Sequence, residues 1–490
     1  MQETAAIMDQ PRSPHFNFGF VSFCAAVAGI GGFLFGYDTA VINGANTFLQ
    51  QHFHLNPEQD TLLIGLTTAS AIIGCILGAM FAGFFSDRFG RRRVLFFCAI
   101  LYAVSGIVSA VPECLSFLAS LWHTLAGPRG REFDGILLFI LARILSGVAI
   151  GVSSMICPVY IAEIAPPAWR GRLGTLFQLG IVTGIFVTLF INLRIQGFGD
   201  AVWNIGYGWR YMLAAESLPA CVFICMLFGI PESPKWLIQA DREEEARGTL
   251  HRIGGTAYAD AEVAAVREVL QQEEGTFVEL FSRHYRLPLL LAVVLMIGSQ
   301  FSGINSIMYY STEIFKNATG DANAAFNSSV WIGLVNLLAT FIAILLVDKA
   351  GRKPLLLIGN AIQVVALVTV GFIYSHWPHS PALLWFVILY TAAFAMAMGP
   401  IPWVICSEIF PAKLRGRAMS ISTFCIWTGC LIVALTFPFL LATIGPSQTF
   451  WLYGACSAVT FVLVLVWLPE TKGKSLEEIE KSWQRGSGRK

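Results

Sequence analysis

Charge is what this chain has least of. Only 13% of its 490 residues are Asp, Glu, Lys or Arg, against 56% hydrophobic, and the mean hydropathy is +0.65. A soluble chain carries about 25% charged residues, so this composition excludes a water-surrounded globule. The formal net charge is +1, which leaves no field of one sign to attract nucleic acid. Eleven cysteines are scattered through apolar segments without paired spacing, as small core hydrophobes and not as a disulfide framework. The eight histidines lie mostly in loops or near segment ends, in no arrangement that would hold a metal, and no cofactor is expected. No cleavable leader is evident, because the polar opening from Met1 to Pro14 runs into a full-length apolar segment.

What is there is apolar length. About twelve segments are long enough to cross roughly 30 Å of hydrocarbon. They lie near 18–42, 61–84, 94–111, 134–157, 173–194, 210–230, 288–311, 327–347, 354–374, 382–406, 417–440 and 448–468. One polar interval stands apart, and its DREEEAR and VREVLQQEEG stretches read as short charged helices outside the bilayer. The expected division is a polar N-terminus (1–17), a first six-span domain (18–230), a helical linker (231–286), a second six-span domain (287–468) and a tail (469–490). The fold class expected is an all-α membrane protein of two pseudo-symmetric six-helix bundles, embedded in a lipid bilayer.

Cations are distributed unevenly among the loops. Arg88, Arg91, Arg92 and Arg93 follow the second span, and Arg170 and Arg172 the fourth. Lys349, Arg352 and Lys353 follow the eighth, and Lys413, Arg415 and Arg417 the tenth. The opposite loops carry few, chiefly Arg129, Arg131 and Lys316. The positive-inside rule then puts both termini and the linker in the cytoplasm.

The two halves repeat each other in sequence. Asp87-Arg88-Phe89-Gly90-Arg91-Arg92 recurs as Asp348-Lys349-Ala350-Gly351-Arg352-Lys353. Glu163 with Arg170-Gly171-Arg172 recurs as Glu408 with Arg415-Gly416-Arg417, and Pro231-Glu232-Ser233 as Pro469-Glu470-Thr471. Parallel six-span repeats with a substrate site at their interface are a transporter architecture. At cytoplasmic helix ends these acids and arginines can form an ion-pair network that latches the halves there and biases the outward-facing state. Alternatively the cations serve topology alone and the glycines make turns.

Within the first span, GGFLFGYDTAVING carries one carboxylate, Asp38, where lipid-facing residues should be apolar. A mid-span acid costs roughly 2.5–3.5 kcal/mol on insertion scales. Such a group usually faces a bundle interior, pairs with a cation and marks an ion or proton path. The alternative is a helix that ends before Asp38 and leaves it at the wet interface, which the following Ala40, Val41 and Ile42 argue against.

GYDTAVING, DRFGRR, DKAGRK, PESPKW, GPIPW and PETKG together resemble the sugar porter family of the major facilitator superfamily, over about Gly29 to Glu478. The likeness is to bacterial D-xylose–, hexose– and inositol–proton symporters. It implies the major facilitator fold, a central sugar cavity, alternating access, the bacterial inner membrane and, in our reading, a monomer. It implies a function as a proton-coupled symporter of a monosaccharide or polyol, with a facilitative uniporter as the alternative. A non-transporting sensor would carry a longer tail, and an enzyme would need a nucleophile–base pair or metal ligands, which the spans lack.

By this resemblance Asp38 is the proton carrier and Arg143, inside the fourth span, its partner; a structural hydrogen bond to helix ends is the alternative for Arg143. A facing guanidinium holds an acid ionised and a water-free apolar setting neutralises it. Alternation between the two would let Asp38 take a proton outside and release it inside. Glu216 matches a further acid of the symporters, unless Arg210 holds it at the interface. Gln178, Gln300, Asn305, Asn336 and Gly399 match polar or motif positions of the sugar site. Phe35, Tyr309, Trp403 and Trp427 match its aromatic walls. Helix–helix hydrogen bonding for the amides, and core packing for Tyr309 and Trp427, are the alternatives. The pattern departs at Ser299, Ile426, Cys430 and Ile185, where xylose carriers have amides or an Asn is common. Fewer hydrogen bonds are expected in the second half of the pocket, with the sugar left open.

Overall fold

The computed structural model describes residues 16–57, 59–115, 134–167, 169–271, 276–470 and 472. Arg129 and Arg131 lie outside the described residues, as do the last four residues of VREVLQQEEG. Among the described residues, twelve helices are long and apolar enough to cross a membrane. Spans 1 to 6 are Phe18–His52, Thr61–Phe89, Arg91–Ala110, Gly135–Ile164, Arg170–Gln196 and Ala201–Leu227. Spans 7 to 12 are Arg286–Lys316, Ala322–Val347, Arg352–His376, Ala382–Glu408, Leu414–Thr443 and Gly445–Trp467. Helices at Pro234–Gln239, Glu243–Gln271 and Phe277–Leu280 lie between spans 6 and 7, where the linker is expected, the second kinked at Gly255.

Several helices overrun their apolar segments. Span 1 continues ten residues past the expected end at 42, to His52, because the residues beyond it are buried against other helices instead of meeting water. A helix that stops before Asp38 is thereby ruled out. Span 6 starts near 201 instead of 210, with a π-helical turn at Asn204–Gly208. Such turns cluster where a helix is bent to serve a site.

The internal repeat is visible in the backbone. Gly90 has φ +93 and ψ 161 and Gly351 has φ +93 and ψ 158, a conformation that favours glycine, each just ahead of the next span. In front of each glycine sits the acid of the matching repeat. Glu232 accepts from the backbone N–H of Arg91 and Arg92 at 2.8 and 3.0 Å, and Glu470 from those of Arg352 and Lys353 at 3.1 Å. An anion there meets the first orphan donors and the positive end of the helix dipole.

Two breaks interrupt the second half. Span 7 is split at Ser302-Gly303, where Gly303 is left-handed with φ +85. Span 10 is split between Met396 and Ile401, so the GPIPW prolines restart a helix instead of continuing one. Non-helical backbone at membrane depth is tolerated where protein or a cavity surrounds it.

Candidate functional site

Span 1 turns a glycine face to span 5. A Cβ on Gly29 would lie 3.4 Å from the Leu176 carbonyl oxygen, and one on Gly32 would lie 3.0 Å from the Phe177 ring. Asp38 is two residues past Gly36, about 200° further round the helix, and so looks away from that contact. Its side chain is 0% exposed and meets Arg143 of span 4, which is 1% exposed. Arg143 Nη1 donates to Asp38 Oδ1 and Nη2 donates to the Asp38 carbonyl oxygen at 3.2 Å. Ser146 Oγ donates to the same Oδ1 at 2.7 Å. Ser146 lies one turn from Arg143 on the same face, a signal present in the sequence that our reading passed over.

Glu216 of span 6 is buried at 1% exposed and faces the Asp38–Arg143 pair. Arg210 does not hold it at the interface: that guanidinium binds Glu113 at 2.6 Å and stacks on Trp209. The Asp38 Oδ2 and Glu216 Oε1 atoms are buried with no hydrogen-bond partner among the described residues. A buried acceptor without a partner costs roughly 1–3 kcal/mol, more when charged.

The pair opens into a small cavity of about 10 Å³, room for about one water. Thr39, Thr68 and Cys75 of the first half line it, together with Tyr309 and Trp427 of the second. Phe35 closes on Trp427 with ring centroids 5.5 Å apart. Behind Tyr309 lies a chain of polar contacts. Asn305 Nδ2 donates to Gln300 Oε1 and, at 3.0 Å, to Cys430 Sγ; the Tyr309 hydroxyl is 3.7 Å from the same sulfur. Gln300 Nε2 donates to Ser299 Oγ at 3.1 Å. Ser299 and Cys430, two of the departures from the family pattern, are thus both engaged by the amides beside them.

Other expected residues stand apart from this chain of contacts. Gln178 is half-buried on span 5 and Asn336 is buried on span 8. Gly399 sits in the break of span 10, and Trp403 packs against the apolar cluster of the second half.

The charged loops form one cluster per half. Arg91 binds Glu163 through Nε and Nη2 at 2.9 and 3.0 Å and Asp87 at 3.2 Å, while Ser233 donates to Glu163 at 2.5 Å. Arg92 donates to the Leu227 and Phe228 carbonyls at 3.0 and 3.3 Å. In the second half Arg352 binds Glu408 at 3.0 Å. These bonds join helices of the same half. Arg172 is exposed at the start of span 5, Arg417 lies in the first turn of span 11, and the Asp348 side chain lies outside the described residues. At the opposite end polar side chains of the first half meet the second. Asn43 donates to the Met308 carbonyl at 2.6 Å and Gln50 to Glu313 at 3.4 Å, and Gly65 abuts Leu435.

A family model described as "Sugar (and other) transporter" matches residues 24–483. The chain belongs to the sugar transporter family. It is 38% identical over 475 residues to the arabinose-proton symporter of Bacillus subtilis (strain 168), covering 96% of this chain and 97% of that protein. It is 37% identical over 484 residues to the D-xylose-proton symporter of Escherichia coli (strain K12), with 96% and 97% covered. The inward open conformation of the xylose transporter XylE from E. coli superposes with a TM-score of 0.81 at 36% identity, over 94% of this chain and 99% of that one. This sugar transporter therefore has the twelve-helix major facilitator fold of a multi-pass membrane protein and is not an enzyme.

Proposed function

We propose that this transporter is a proton-coupled symporter of a pentose, hexose or polyol, working as a monomer in the cell membrane by alternating access. One observation carries the reading. Asp38 and Arg143 of the first half share a cavity with Tyr309 and Trp427 of the second, so charge at the pair and contact with the sugar act on one interface. In this reading a proton arriving at the unpartnered Asp38 Oδ2 weakens the bond to Arg143. Protonation would leave the buried Arg143 charge without its counter-ion, which destabilises this conformer by about 3–5 kcal/mol, enough to drive a rocking step. Glu216 tunes the pair.

The sugar would lie beside Phe35, Trp427 and Trp403, with its hydroxyls on Gln178, Gln300, Asn305 and Asn336. Gly399 and the prolines after it would give span 10 the freedom to gate. Two relatives that carry arabinose and xylose with protons support the class of cargo and of coupling. The charged loops would face the cytoplasm by the positive-inside rule. Halves that meet at the other end, and the likeness to an inward open relative, fit an inward-facing conformer. The Arg91–Glu163 and Arg352–Glu408 clusters would then stiffen each half, and a latch across the halves would form when this end closes.

Proteoliposomes with an imposed proton gradient and a panel of radiolabelled pentoses, hexoses and inositol test the proposal. Sugar addition should alkalinise the medium, and Asp38→Asn should abolish that signal while sugar counterflow persists. Accumulation by Asp38→Asn equal to the parent's would remove Asp38 from the coupling, and downhill flux without proton movement in the parent would make the protein a uniporter.

A further inference from the structure

A pocket of about 680 Å³ opens at the charged end of the first half, between the start of span 3, the end of span 6 and the linker helices. Four arginines, Arg92, Arg93, Arg242 and Arg252, line it with two acids, Glu232 and Glu245. Both acids are already engaged. Glu232 caps span 3 and accepts from the Ser233 N–H at 2.9 Å, and Glu245 pairs with Arg242 at 2.6 Å. Arg92 is held by the span 6 carbonyls. Arg93 and Arg252 have no carboxylate partner among the described residues, and Arg252 stands 4.1 Å over the Phe20 ring. The pocket is therefore net positive.

Its rim is apolar. Phe96 in its wall packs edge-on against the exposed Phe228 at 4.7 Å, and Phe97, next to Phe96 in span 3 and one turn on from Arg93, is exposed as well. A guanidinium cluster recognises phosphate oxygens through several N–H donors at once, and basic pockets between helix ends at a membrane surface suit anionic headgroups. We propose that this pocket binds the phosphate of an anionic phospholipid, with Arg93 and Arg252 as its main ligands and the acyl chains along Phe97 and Phe228. A soluble phosphate would satisfy the same arginines but would leave the apolar rim unused.

The full chain, purified in neutral detergent, is titrated with short-chain phosphatidylglycerol, short-chain phosphatidylcholine and inorganic phosphate. Phosphatidylglycerol should bind and phosphatidylcholine should not. The Arg93→Gln/Arg252→Gln variant should weaken phosphatidylglycerol about 30-fold, from two surface cations near a headgroup. Gly248 lines the pocket with open space before it, so Gly248→Leu should fill the pocket and weaken binding without changing charge. Arg283→Gln, an exposed cation outside the pocket, should not. Inorganic phosphate binding as tightly as the lipid, with the same sensitivity to the variants, would keep the phosphate site and make its ligand soluble. Phosphatidylcholine binding as tightly as phosphatidylglycerol would overturn the proposal. Lipid affinity unchanged by Gly248→Leu would overturn it too, even where the double variant misfolds.

Discussion

The Asn43 carboxamide of span 1 binds Thr312 of span 7, its Oδ1 accepting from the Thr312 N–H at 3.0 Å and from the Thr312 hydroxyl at 2.5 Å. Its Nδ2 donates to Ser311 Oγ at 2.7 Å, and that hydroxyl donates to Ser329 of span 8 at 2.8 Å. One buried side chain of the first half thus serves two helices of the second, at the end away from the charged loops.

Asn43→Ala should therefore loosen this closed end. It strands buried polar groups of span 7, at roughly 1–3 kcal/mol. A lower thermal midpoint in detergent, together with a conformer ensemble shifted toward opening at this end, is the expected result. Electron–electron distances between spin labels on the ends of spans 1 and 7 would read the shift, and unchanged distances would count against the latch.

Ser146→Ala removes one of the two side-chain donors to Asp38 Oδ1 and leaves Arg143 in place. A hydrogen bond to a charged group is worth about 1.5–3 kcal/mol, so its loss should weaken proton-driven accumulation by about tenfold or more. Counterflow should survive. Accumulation equal to the parent's would show that Ser146 does not support the pair.

Gly147 of span 4 lies against span 2, where a Cβ would come within 2.9 Å of the Gly74 Cα. Close backbone approach through small residues is how helices associate in lipid. Gly147→Val should push the spans apart and shift the Arg143 backbone one turn away. Loss of the folded protein, or a midpoint lowered by several degrees, is expected in a detergent melt, whereas Gly171→Ala, with open space around it, should be silent.

Glu113 lies between spans 3 and 4 and binds Arg210 at 2.6 Å. Hydrogen bonding to that guanidinium, against a smaller opposing effect of burial, holds the Glu113 carboxyl below its ordinary range. A depressed carboxylate stabilises the fold above its unfolded pKa, near 4.3, and the contribution fades as pH falls through the lower folded value. The side chain is half exposed, so the effect stays within about 1 kcal/mol. Glu113→Gln should lower the midpoint at pH 7, and the gap to the parent should close as pH falls below about 4; a gap that widened in acid would refute the pairing.

Much of the site was legible in the chain because its parts break local rules. An acid in an apolar span, a lone arginine in another and a Gly-Pro-Ile-Pro run each cost free energy that only a function or a partner offsets. Ser146, Thr68, Cys75 and Asn43 escaped notice for the opposite reason. Small polar residues are ordinary in spans, where they hydrogen-bond their own helix, and nothing local separates a gate or a pair-holding donor from such a residue. Glu216 stayed ambiguous for as long as Arg210 was a candidate partner; packing alone could assign that arginine to Glu113.

By itself the sequence determined the number of spans, their doubled order and which ionisable residues needed partners inside the bundle, since hydrocarbon imposes apolar length and punishes an unpaired charge. The pairing of Asp38 with Arg143 was implied only by the family resemblance. Only the tertiary structure decided which helices join the halves and where the ion pairs of the loops lie. It also left one oxygen of Asp38 without a donor among the described residues. Those are outcomes of helix rotation and close packing, which depend on every neighbouring side chain at once and leave no mark at any single position.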